Sequence, residues 1–107
     1  SALEFYITGI SVNITLVGDS NIYSDTDLRP RFGIFINDKF YYDSLMNHLE
    51  LGLNLELYRR EKENTIKITI MLLSENKYGG IGIKNINVYT CNNNQKTIRP
   101  ETKKNYL

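Results

Sequence analysis

The chain has 107 residues, 41% of them hydrophobic and 23% charged, which suits one globular domain with a real core and excludes disorder throughout. With 13 basic and 12 acidic residues the net charge is +1, a surface without the positive field that holds a polyanion, so nucleic acid is not an expected partner. The single cysteine, Cys91, excludes an internal disulfide and a thiolate zinc cluster, and no run approaches the about 20 apolar residues of a membrane-spanning helix.

Period-two alternation dominates the chain. Leu3, Phe5 and Ile7 share one face opposite Glu4 and Thr8. The strand pattern is already under way there with no signal peptide ahead of it, which predicts that sequence upstream was removed or lies outside the chain. Gly9 interrupts the run, and Ile10, Val12, Ile14 and Leu16 resume it opposite Ser11, Asn13 and Thr15. Residues 18–31 read as a polar loop closed by Arg29 and Pro30, and residues 32–36 as a short apolar strand. Asn37 and Asp38 both tolerate positive φ, which predicts a tight hairpin into Phe40, Tyr41 and Tyr42. Residues 44–48 have the length for one short helical turn.

Leu49, Leu51, Leu53, Leu55 and Leu57 alternate with Glu50, Gly52, Asn54 and Glu56. On a helix these leucines would point all the way round; on a strand they share one face, so a strand is expected. After a charged turn at residues 59–63, Ile66, Ile68, Ile70 and Leu72 repeat the pattern opposite Thr65, Lys67 and Thr69. Gly79 and Gly80 turn the chain again. Ile81 and Ile83 then change phase at Lys84 and Asn85 before Ile86 and Val88, which predicts a bulge. From Cys91 the apolar pattern stops, and residues 91–107, with Pro100 and a lysine-rich end, read as a linker. Seven or eight short strands over residues 1–90, joined by polar turns, predict an all-β sandwich of two antiparallel sheets.

The tripeptide Gly18-Asp19-Ser20 follows a buried strand, as a serine nucleophile does. A serine needs a base to take its proton and a third group to orient that base. The chain holds one histidine, His48, and no Asp-x-x-His pair near its end. Ser20 therefore reads as a polar turn, and no catalytic residue is assigned; His48 reads as a surface or loop-capping residue. Asp19, Asp25 and Asp27 are the candidate oxygen ligands for a structural calcium ion, although their spacing is not that of an EF-hand and a solvated acidic loop is the default. No other cofactor is expected. Tyr41, Tyr42 and Tyr78 are the candidate platforms for a sugar ring, whose C–H faces pack on aromatic rings. Neighbouring tyrosines on a strand point to opposite faces, so at most one of Tyr41 and Tyr42 is expected outward.

Three blocks in fixed order carry a family resemblance. Residues 1–9 (SALEFYITG) precede residues 11–20 (SVNITLVGDS); residues 32–39 (FGIFINDK) follow, and a strand ending in Leu73-Ser74-Glu75 comes later, before Gly82 and Ile83. In that arrangement residues 1–90 resemble the N-terminal jelly-roll (galactose-binding-domain-like) module of carbohydrate esterase family 2, SGNH/GDSL-type acetyl esterases acting on polysaccharides such as xylan. Asn37-Asp38 stands where that family has Asp-Gly, Met71-Leu72-Leu73 lacks the family's lysine, and the family's tryptophan and opening Gly-Arg strand are missing. Thr97 to Pro100 with Lys103 and Lys104 is similar to the connector leading into the first catalytic strand. The resemblance implies a bacterial, non-catalytic accessory domain, extracellular or cytoplasmic, whose partners are a C-terminal catalytic domain and a polysaccharide. The catalytic Gly-Asp-Ser would then lie beyond Leu107. A stand-alone carbohydrate-binding module and a protein-interaction sandwich are the alternatives.

Overall fold

The computed structural model describes residues 2–18, 29–47, 49–56, 62–74, 80–90 and 94–98. They form eight strands: β1 (Ala2–Gly9), β2 (Ser11–Gly18), β3 (Arg31–Ile36), β4 (Lys39–Leu45), β5 (Glu50–Glu56), β6 (Asn64–Leu72), β7 (Ile81–Tyr89) and β8 (Gln95–Ile98). The first sheet has the order β1-β6-β3-β4 and the second β5-β2-β7-β8, with every pairing antiparallel. The fold is a β-sandwich. Among the described strands, only the successive pairs β3–β4 and β7–β8 share a sheet; every other successive pair lies in opposite sheets.

Alternation explains the two layers. Phe32 and Ile34 of β3 and Ile66, Ile68, Ile70 and Leu72 of β6 face inward from the first sheet. Val12, Ile14 and Leu16 of β2, Leu55 of β5, and Ile81, Ile86 and Val88 of β7 meet them from the second. On the strand rich in leucine, Leu51 and Leu53 join the same core while Leu49, just before it, is exposed. Each fully buried side chain of this size stabilises the fold by about 1.5–3 kcal/mol relative to exposure.

Where the chain passes from the first sheet to the second, Gly9 lies against β7. A Cβ at this position would stand 2.7 Å from the Tyr89 carbonyl oxygen and 2.7 Å from Val88 Cγ1. The same carbonyl accepts a hydrogen bond from the Ile10 N–H at 2.8 Å, so the close approach is part of the crossing. The break in the hydrophobic pattern at Gly9 thus marks a contact between backbones.

The predicted hairpin is present. Asn37 and Asp38 have φ of 51° and 67°, the left-handed pair that a two-residue turn requires. Asn37 also ties the turn to β6: its N–H donates to the Lys67 carbonyl and its Oδ1 accepts from the Lys67 N–H, both at 2.9 Å. The predicted bulge is present too. Thr15 pairs with Asn85 and Leu16 with Ile83, leaving Lys84 as the extra residue.

Two expectations differ from the structure. Residues 44–47 form no helical turn: β4 runs to Leu45, and Met46 is buried with its N–H donating to the Pro30 carbonyl at 2.8 Å. Burial of Met46 beside the start of β3 competes successfully with local helix formation. Within the segment read as a linker, residues 95–98 form β8 and pair with β7. Gln95, Lys96 and Thr97 are all exposed, so the strand is held by its ladder and carries no hydrophobic alternation to announce it.

Candidate functional site

The outward positions of the second sheet are polar and fall into register across its strands. Asn13 of β2 lies opposite Asn54 of β5 on one side and Asn87 of β7 on the other, and Asn87 lies opposite Thr97 of β8. One row therefore crosses all four strands as Asn54, Asn13, Asn87 and Thr97. The next row holds Gly52, Thr15 and Asn85, and the row on the other side holds Glu56, Ser11, Tyr89 and Gln95.

This face is only partly satisfied internally. Thr97 Oγ1 donates to Asn87 Oδ1 at 2.9 Å, and Asn13 Nδ2 donates to the Tyr89 hydroxyl at 3.2 Å. Asn13 Oδ1 and Asn85 Oδ1 are buried with no hydrogen-bond partner among the described residues. A hollow of about 350 Å³ opens between β2, β5 and β7, lined by Asn13, Thr15, Gly52, Asn54 and Asn87. Nothing lies within 4 Å of where a Gly52 Cβ would stand, so the glycine leaves the hollow open. Charge lies beside the row: Lys84 and Glu50 pair at 2.6 Å, Glu56 stands in the last row, and the exposed Lys96 is next to Thr97 on β8.

The first sheet presents a different outer face. Gly33, Phe35 and Met71 point outward there, with Leu73 Cδ1 lying 3.0 Å from where a Gly33 Cβ would stand. Phe40 of β4 packs edge-on against Phe35, with ring centroids 5.9 Å apart. Phe40 is 61% exposed and Leu73 44%, and with Phe35, which packs on Phe40 and flanks Gly33 beside Leu73, they form an apolar patch; Tyr41, next on β4, is 50% exposed. Thr69, opposite Phe35 and Glu4, is 6% exposed and its Oγ1 has no partner among the described residues. Beside the patch, Lys67 Nζ contacts Asp38 at 2.6 Å and Glu4 at 3.9 Å. The hydrogen bond to Asp38 holds the ammonium above its ordinary pKa, and the Asp38 and Glu4 charges add to this.

Of the sugar-platform candidates, Tyr41 and Tyr42 lie on β4, an edge strand of the first sheet. Ile34 pairs with Tyr42 and Phe35 with Phe40, so Tyr41 is the extra residue of a bulge. Tyr42 leans inward on Phe32, with centroids 6.1 Å apart, yet remains 38% exposed. Tyr42 is thus the inward-leaning ring, and Tyr41 is the more exposed ring of the pair. An edge strand has no neighbour on one side to cover a ring, and Tyr41, unpaired at the bulge, is 50% exposed. Tyr78 lies outside the described residues, as do Asp19, Ser20, Asp25, Asp27, His48 and Cys91. Gly18 closes β2 with its N–H donating to the Leu49 carbonyl at 3.0 Å.

The amide row was not among the sequence candidates. Its signal was there in Asn13, Asn54, Asn85 and Asn87, each at a polar position of an alternating strand. What the sequence lacked was the adjacency of β5, β2 and β7. The chain matches no known protein-family model, no curated protein and no solved structure.

Proposed function

We propose that this chain is a non-catalytic accessory β-sandwich of an SGNH/GDSL-type carbohydrate esterase, packing on the catalytic domain of the same polypeptide. The observation that carries the reading is the apolar patch of Phe35, Phe40 and Leu73 on the outer face of the first sheet. A contiguous exposed apolar patch rimmed by charge, here by Lys67 with Asp38 and by Arg31 with Asp43 at 3.5 Å, has the anatomy of a protein interface. The order of the sequence blocks over residues 1–90 supports a catalytic domain as the occupant. In that arrangement the sandwich braces the catalytic domain, and acetyl removal from sugars is carried out by a serine and histidine that belong to the neighbour.

The natural gene product tests this reading. A strand followed by Gly-Asp-Ser downstream of Leu107, with an Asp-x-x-His pair further on, is expected. Calorimetry of that protein is expected to show the two domains unfolding together, and Phe40→Ser with Leu73→Ser to separate them into two transitions. A downstream sequence without such a domain, or domains that unfold independently in the unmodified protein, overturns the reading.

A further inference from the structure

We propose that the outer face of the second sheet is a binding site for a neutral polyhydroxylated ligand, a glycan segment laid across β5, β2, β7 and β8. The site is the row Asn54, Asn13, Asn87 and Thr97 together with the Gly52 hollow. This inference does not rest on the accessory-domain reading, because it concerns the opposite sheet.

The argument begins with the unmet acceptors. A buried oxygen without a donor destabilises the fold, so native proteins hold few of them. Here two, Asn13 Oδ1 and Asn85 Oδ1, belong to residues on adjacent rows of one face. The face also carries donors: amide groups of asparagine and the Thr15 and Tyr89 hydroxyls, the Thr97 proton being held by Asn87 Oδ1. A ligand that meets such a surface has to donate and accept at short intervals. Sugar hydroxyls do both, and their rotatable O–H bonds adapt to fixed amides.

Charge and topology narrow the class further. The row itself contains no ionised side chain; Lys84 is engaged by Glu50 at 2.6 Å, and Lys96 adjoins the row only at its β8 end. An anionic ligand would find no charge partner along the row. A peptide adding as a strand would pair at the outer edge of β5 or β8 and would not lie across the rows of β2 and β7. Recognition here passes through side chains above the sheet. The hollow at Gly52, about 350 Å³, has the room for a sugar ring, and Asn13, Asn54 and Asn87 line it together with Ile14, Thr15 and Leu53.

The test is a titration of the ¹⁵N-labelled chain with xylohexaose, cellohexaose and, as an anionic comparison, oligogalacturonate. Saturable shifts are expected in the side-chain amides of Asn13, Asn54, Asn85 and Asn87 with at least one neutral oligosaccharide. Gly52→Ile fills the hollow and is expected to weaken that binding at least tenfold. Asn54→Leu, on an edge strand, is the second variant and is expected to weaken it severalfold; the unfolding midpoint verifies that each variant is folded. Unmoved asparagine amides with both neutral ligands overturn the proposal. So do preference for the anionic ligand, shifts confined to Tyr41 and Tyr42, or full affinity in folded Gly52→Ile.

Discussion

Gly9→Ala and Gly52→Ala make a matched pair, since each adds one methyl group to a glycine in a strand of the same sandwich. At Gly9 the new carbon would lie 2.7 Å from both the Tyr89 oxygen and Val88 Cγ1. Non-bonded carbon atoms rest at about 3.5–4.0 Å, so β1 and β7 have to move apart by most of an ångström. Overpacking of this kind costs about 1–3 kcal/mol. The shift also strains the 2.8 Å bond from the Ile10 N–H to the same oxygen, a contact contributing about 0.5–1.5 kcal/mol. Reduced freedom of the unfolded chain returns about 0.4–1 kcal/mol. The net expectation is a loss of about 1–3 kcal/mol. At Gly52 nothing lies within 4 Å, so only the unfolded-chain effect remains and the variant gains a few tenths of a kcal/mol or more. Urea unfolding followed by far-ultraviolet circular dichroism and by emission from the eight tyrosines measures both, there being no tryptophan. A gap of about 2 kcal/mol corresponds to roughly 8–16 °C in melting temperature for a domain near this size. Coincident midpoints for the two variants would refute the close approach of β1 and β7 at Gly9.

Three further outcomes follow from other parts of the fold. Phe32→Ala, at a ring wholly buried between the sheets, is expected to cost about 3–5 kcal/mol in the same urea experiment. Asn37→Ala removes the acceptor for the Lys67 N–H and places alanine at a φ of 51°, and about 1–3 kcal/mol is expected to be lost, with Asn37→Gly recovering the conformational part. Lys67 has its folded pKa raised above the ordinary 10.5 by the Asp38 hydrogen bond. Its contribution is therefore fully present below the unfolded value and disappears as pH rises through the raised folded value. Stability measured from pH 9 to 12 is expected to fall less steeply in Lys67→Met than in the parent, and an unchanged slope would contradict the assignment.

Much of the architecture was legible because β-structure writes itself locally. Ile66, Ile68 and Ile70 on one parity of β6 require a buried face, whichever strand lies opposite. The Asn37–Asp38 turn and the Lys84 bulge were legible for the same reason: positive φ and a change of phase are properties of neighbouring residues. β8 was not legible, since its exposed polar residues carry no alternation, and neither was the burial of Met46, which depends on Pro30.

The candidate site depended on tertiary structure almost entirely. Asn13, Asn54 and Asn87 are separated by more than thirty positions in the chain, and each alone is an ordinary polar residue on a strand's outer face. The order β5-β2-β7-β8 turns them into one row. The apolar patch arises in the same way, when β3 and β4 bring Phe35 and Phe40 together and Leu73 folds across Gly33. The sequence by itself determined that the chain makes strands, which faces are buried and where one hairpin turns. Periodicity of two residues is enough for that. Which strands become neighbours, and so which exposed side chains stand together, was decided by the non-local packing of the two sheets.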